Sequence, residues 1–223
     1  MIGPQNGGQV TKILIRAAKQ AGVRKFVQVS ITNASESSRF PYFRGKRLVE
    51  RAIVESKLSY AIIRPAVIFG AEDILINNIA YFLRRFPLFA VFGTGGYRLQ
   101  PIFVEDFADL AVESADRGEN LVLDAVGPET YTFEDLVRLV RRTVQSNARI
   151  IHVSRSVGFL LCRLLGYFFD DVVLTRDEIE ALMSNLLVSQ GSPAGHVMLS
   201  EWLEKNVDTI GRTYASELSR HYR

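Results

Sequence analysis

Tyr42 and Lys46 stand four residues apart in the stretch PYFRGKRLVE, residues 41–50. On a helix, positions i and i+4 share a face. A phenol with a pKa near 10 is a poor base at neutral pH. A neighbouring ammonium stabilises phenolate and lowers that pKa, and the same lysine can hold a ribose hydroxyl. A hydroxyl at the end of the preceding apolar run, Thr32 or Ser30, could bind a substrate oxygen. Together these groups would move a proton to or from an alcohol while a cofactor moves the hydride. With eight tyrosines in 223 residues, the spacing also arises by chance. The ordinary alternative is an amphipathic helix start.

The elements around the pair favour the chemical reading. VTKILIRAAKQAG has helical spacing, with Ile13, Leu14, Ala17, Ala18 and Ala21 on one face and Gly22 as a left-handed cap. KFVQVSIT reads as a buried strand. Pro41 suits the first turn of the helix that carries the pair. YAIIRPAVIF is a second strand, and ILINNIAYFLRRF a helix. A Gly-rich turn, FGTGGYRLQPIFV, leads into the helix VEDFADLAVESAD, whose acidic start suits its dipole. NLVLDAVG and ARIIHVS are strands. Thr132 with Asp135 and Thr175 with Glu178 have capping-box spacing before two more helices, and the tail from Leu199 reads as helical. Strands alternating with helices of this length predict an α/β fold with a parallel sheet and crossover helices. Residues 1–127 form the sheet-bearing part, and residues 128–223 a smaller, mainly helical lobe.

Hydrophobic residues make up 48% of the chain and charged residues 23%, a globular balance rather than a disordered one. The net charge of +3 is spread among acids, so no basic tract points to nucleic acid. One cysteine, Cys162, rules out an internal disulfide and sits in an apolar stretch as a packed thiol. The cytoplasm is the expected compartment. The stretch from Val157 to Phe169 is too short to span a bilayer and is interrupted by Arg163. It reads as a core or subunit-contact helix, with membrane-surface contact as the lesser alternative. His152 reads as a core or edge histidine.

The segments AAKQAGVRKFVQVS, YFRGK, YAIIRPAVIFGAED and LQPIFVEDFADLAV follow one another in an order that resembles the extended and atypical short-chain dehydrogenases/reductases. The likeness extends to LTRDEIEALM and to the branch that contains the nucleotide-binding accessory subunit of respiratory complex I. It implies a Rossmann-like, NAD-dependent epimerase/dehydratase type of fold with NAD or NADP as cofactor. By the resemblance, Tyr42 is the acid/base, Lys46 its pKa-lowering and ribose-binding partner, and Thr32 the third catalytic hydroxyl. Ser30, Pro65, Ala66 and Val67 border the nicotinamide. Arg98 lies where sugar-nucleotide relatives hold a phosphate, with a solvated surface arginine as the equal alternative. Asp106 is a structural acid at a helix start.

One family element is missing from the pattern. No glycine-rich turn follows an opening strand: Gly3, Gly7 and Gly8 lack the spacing, as do Gly93, Gly95 and Gly96. The expectation is therefore a partial doubly wound sheet, beginning near the family's fourth strand with MIG as its stub. It would belong to a longer protein, the favoured reading, or be completed by a second chain, or be a degenerate form that keeps the fold's remainder, with a bare strand edge and an uncovered apolar helix face. Two functions compete. One is an NAD(P)-dependent oxidoreductase or epimerase acting on a small molecule through Tyr42 and Lys46. The other is a non-catalytic nucleotide-binding or complex-assembly protein, or a chain that binds no cofactor alone.

Overall fold

Three parallel strands hold the residues around Tyr42. In the computed structural model, which describes residues 4–169, 171, 175–216 and 218, β1 (Phe26–Val29) pairs with β2 (Tyr60–Pro65), and β2 with β7 (Leu121–Ala125). The order β1-β2-β7 puts β2 in the middle. Its sequence fits that place: Ala61, Ile62 and Ile63 are all buried, as a strand covered on both faces requires. Helix α1 (Pro4–Gln20) packs on α2 (Pro41–Glu55), and α2 on β2. On the other face, α4 (Val104–Asp116) lies against β1, β2 and β7, with Phe107, Leu110 and Ala111 meeting Ile63, Ile102 and Ala125. The expected parallel α/β architecture is present, and Gly22 closes α1 at φ +64°.

β1 is an edge and not the buried strand that its apolar run suggested. Among the described residues it pairs only with β2, and Val29 is exposed. On the neighbouring α1, Val10, Ile13 and Leu14 are exposed as well. These are the bare edge and open apolar face expected from the sequence. The MIG stub lies outside the described residues.

YAIIRPAVIF divides at Ala66. Beyond Pro65 the chain leaves the central sheet, and β3 (Val67–Phe69) pairs instead with β6 (Pro101–Phe103). Residues 88–91, unassigned by the sequence pattern, form β4 (Leu88–Phe92) together with Phe92, the first residue of the expected Gly-rich turn, directly after α3 (Leu75–Arg85). β4 pairs in parallel with β9 (Arg149–Val153), and β5 (Arg98–Leu99) pairs antiparallel with β8 (Tyr131–Thr132). The stretch after residue 127 is thus joined by strand ladders to the stretch before it. A second core forms there, with Ile76, Ala80 and Leu83 of α3 against Leu136, Val137 and Val140 of α5 (Phe133–Thr143).

Helices α6 (Arg155–Phe169), α7 (Arg176–Leu182) and α8 (Leu199–Lys205) complete the set. Thr175 and Glu178 make the reciprocal capping box before α7, while Thr132 caps α5 through the amide of Asp135. Between α8 and residue 216 the tail is turns and irregular chain. There, Arg84 and Arg85 donate to the carbonyls of Val207, Ile210, Gly211 and Arg212, and Gly211 takes φ +66°. Carbonyls held by arginines of another helix do not serve a continuing helix.

Truncating Ile63, fully buried between β1 and β7, to alanine is expected to cost about 2–4 kcal/mol. Ile13→Ala, on the open face of α1 where the side chain is 66% exposed, should stay within about 0.5 kcal/mol. Urea denaturation of both variants checks this, and equal losses would refute the assignment of β2 as the core strand.

Candidate functional site

The carboxyl ends of β1 and β2 lie side by side. The Ser30 amide donates to the Ile63 carbonyl at 2.7 Å, and the Thr32 amide to the Pro65 carbonyl at 3.0 Å. Ser30, Thr32, Pro65, Ala66 and Val67 therefore share one end of the parallel sheet. That end is where ligands enter open α/β folds. Residues 186–188 close over it. The fully buried Thr32 hydroxyl donates to the Leu186 carbonyl at 2.8 Å. Asn33, held at φ 56°, donates its side-chain amide to the carbonyls of Leu186 and Val188 at 2.9 and 2.8 Å. Asparagine tolerates this left-handed conformation better than most residues.

Beneath this end sits a carboxylate that the sequence reading passed over. Glu50, on the sheet-facing side of α2, is 0% exposed. It accepts from the Ser30 hydroxyl at 2.5 Å, from Arg64 Nε and Nη2 at 2.8 and 2.6 Å, and from Arg47 Nη1 at 3.1 Å. Burial alone would raise its pKa. The bonds from Arg64, Ser30 and Arg47 outweigh that and hold the carboxyl below its ordinary range. Two signals were available in the sequence. Glu50 falls on the same stripe as the buried Phe43 and Ile53, and Arg64 interrupts an otherwise apolar strand.

Tyr42 and Lys46 do share a face of α2, with Lys46 Nζ 5.5 Å from the Tyr42 ring centre. The expected effect on the phenol is not what the structure holds. Packed surroundings push the Tyr42 phenol above its usual value of 10, although the residue is 58% exposed, which limits that push. Lys46 points its ammonium at the Val29 carbonyl, 3.1 Å away on the open edge of β1. Burial lowers its pKa, and the charge of Glu50 partly restores it. The Ser30 hydroxyl is committed to Glu50 and the Thr32 hydroxyl to Leu186.

Arg98 is exposed on the β5–β8 ribbon, with its backbone amide held by Asn185 at 2.7 Å. Asp106 has the structural role expected of it, accepting from the amides of His196 and Val197 at 2.7 and 2.9 Å. His152 is an exposed edge residue bonded to Glu134 at 3.1 Å. Cys162 is buried, its thiol pushed up to about 11 by that burial. Among the described residues no cluster suits a metal ion.

Lys46, the Ser30–Thr32 strand end and the Pro65–Val67 turn lie together at the carboxyl end of the parallel sheet. A phosphate cradle of backbone amides at a helix start is not present among the described residues. Gly7 and Gly8 lie inside α1. Gly93 and Gly95 form the turn after β4, packed against Met183 and Glu134.

Residues 2–74 match a family model described as NAD(P)H-binding, which agrees with the expectation of NAD or NADP. The chain is 24% identical over 192 residues, 81% of its length and 48% of the relative's, to the mitochondrial NADH dehydrogenase [ubiquinone] 1 alpha subcomplex subunit 9 of Arabidopsis thaliana. It is 29% identical over 150 residues, 65% of its length and 44% of the relative's, to the photosystem II assembly factor Ycf39 of a Synechocystis strain. The UDP-glucose 4-epimerase of Thermotoga maritima has a similar fold, with a TM-score of 0.65 at 17% identity, covering 89% of this chain and 67% of that one. The chain spans about half the length of the curated relatives it matches. The resemblance to the complex I subunit therefore stands, as does a Rossmann-like fold of the kind seen in the epimerase.

Replacing Glu50 by glutamine should destabilise the protein by about 3–5 kcal/mol at neutral pH, because Arg64 is left without its charge partner. The folded pKa of Glu50 lies below its unfolded value near 4.5. Its contribution is therefore complete above that value and is lost as pH falls toward the folded one. Urea unfolding of wild type and E50Q should show the gap narrowing below about pH 4.5. A gap that stays constant from neutral to acidic pH would contradict this account of Glu50.

Proposed function

We propose that this protein is a dinucleotide-binding protein of accessory or assembly type, in which the Tyr42–Lys46 pair serves binding rather than proton transfer. The observation that carries the reading is the state of that pair. Lys46 is tied to the Val29 carbonyl, and the phenol of Tyr42 stands above its ordinary pKa instead of below it. A general base at neutral pH needs the opposite shift. The hydroxyls of Ser30 and Thr32, which would orient a substrate oxygen, are already donated to Glu50 and Leu186. The names of two relatives, a respiratory-complex subunit and a photosystem assembly factor, agree with a role in an assembly. In this reading Lys46 and the Pro65–Val67 turn hold the nicotinamide–ribose side of NAD or NADP.

A second reading is favoured by the shared face of Tyr42 and Lys46 and by the fold likeness to a UDP-glucose 4-epimerase. There the protein is an oxidoreductase or epimerase. Bound cofactor would draw Lys46 from Val29 to the ribose, and Tyr42 would then exchange the proton of a substrate hydroxyl. Thr32 would orient that hydroxyl, and Arg98 would bind a substrate phosphate.

Titration with NADH and NADPH separates the two. On the binding reading, Lys46→Ala weakens NADH about tenfold or more, Tyr42→Phe leaves affinity within about twofold, and no NADH is consumed with sugar-nucleotide substrates. Turnover that Tyr42→Phe abolishes while NADH affinity is kept would overturn the reading in favour of the enzyme.

A further inference from the structure

Helix α6, Arg155–Phe169, is apolar on two sides. Its inner side uses small residues to lie close to the second core. A Cβ at Gly158 would come within 2.3 Å of the Phe92 ring, and Cys162 is buried against Phe92 and Ile179. Phe169 stacks on Tyr214 at 4.5 Å. Its outer side carries Val157, Leu160, Leu164, Tyr167 and Phe168, all exposed, the last two by 86% and 80%. At about 100° per residue, these five side chains fall within one arc of roughly 100°, with no polar residue inside it. Scattered apolar residues on a surface need no explanation, but a continuous arc of this kind marks a contact.

The charges beside the arc select the occupant. Arg163 lies at its margin and is exposed, whereas Arg155 is exposed on the opposite side of the helix, where it lines a pocket with Arg176 and Glu180 of α7. No acidic residue occurs across residues 149–169. The helix has 15 residues, whereas crossing a bilayer takes about 20. No helix among the described residues is long and apolar enough to cross one. An apolar arc ending in two aromatic residues, edged by Arg163 and with no acid within the helix itself, matches a helix that lies along a lipid–water boundary. Arginines with long stems can keep their guanidinium groups at the phosphate level while the arc enters the acyl region.

We propose that the outer face of α6 docks this protein on an anionic phospholipid surface, in the plane of the bilayer and without spanning it. Arg163 meets a lipid phosphate, and Leu160, Leu164, Tyr167 and Phe168 enter the apolar layer. This site is on a different element from the Tyr42–Lys46 pair and is independent of what that pair does.

The test is flotation of the full chain with vesicles. One set contains seven parts phosphatidylcholine to three parts phosphatidylglycerol, and the other phosphatidylcholine alone. Wild type should float with the charged vesicles, and binding should fall at least about tenfold in Leu164→Glu, whose side chain is exposed and not needed for the core. Arg163→Gln should weaken charged-vesicle binding about fivefold, with less effect on neutral vesicles. Far-UV circular dichroism and urea midpoints establish that the variants are folded, and Phe168→Ser provides a second, milder removal of the arc. Three outcomes would overturn the proposal. One is absence of wild-type flotation. Another is flotation unchanged in both apolar variants. The third is a concentration-dependent dimer, dissociated by Leu164→Glu, with no vesicle binding, which would assign the face to a second copy of the chain.

Discussion

The candidate site depends on one buried carboxylate. Glu50 brings a charge into a place with no exposure, where an unpaired carboxylate would be heavily penalised. Four donors from three side chains offset that cost: Ser30 on β1, Arg64 on β2 and Arg47 on α2 itself. The network therefore ties the helix that carries Tyr42 and Lys46 to the two strands whose ends carry Ser30, Thr32 and Pro65. Arginine suits the role because its planar fork meets both carboxylate oxygens at once. The rotation of α2 about its axis follows from this bond set, and with it the position of Lys46 over the edge of β1.

That edge explains the state of the pair. With β1 hydrogen-bonded on one side only, the Val29 carbonyl has no strand partner among the described residues. It takes donors from Lys46 at 3.1 Å and from the Gln28 side chain at 2.6 Å. Backbone carbonyls seek donors when no ladder supplies them, and the lysine ammonium is one of those in reach. The same logic holds at Thr32, where the Leu186 carbonyl collects two side-chain donors from the β1 end. Polar groups that could bind a ligand are here used to close the strand end.

The remainder of the chain is interwoven with this unit. β4 pairs with β9, and β5 with β8, so the second core is built by segments far apart in sequence. Arg84 and Arg85 of α3 hold the tail through its carbonyls. Against this core α6 rests by its small-residue side, which leaves its other side outward.

Much was legible in the chain order. The helix after Pro41, the strands at KFVQVSIT and NLVLDAVG, the cap at Gly22 and the capping box at Thr175 rest on local physics, because propensity, periodicity and turn chemistry act within a few residues. The i, i+4 spacing of Tyr42 and Lys46 likewise determined that they share a face. The choice of partner was not local. Whether β1 is buried or an edge depends on which strands lie beside it, and the division of YAIIRPAVIF at Ala66 depends on where β6 offers a ladder. Glu50 reads as an ordinary surface acid until Arg64, fourteen residues on, is brought beneath it. Sequence by itself determined the elements and the residue types at the site. Tertiary structure alone decided which donors and acceptors meet, and so which way Lys46 points and in which direction its surroundings shift the Tyr42 phenol. A hydrogen bond or a charge acts only over a few ångströms, and those distances are set between elements rather than within them.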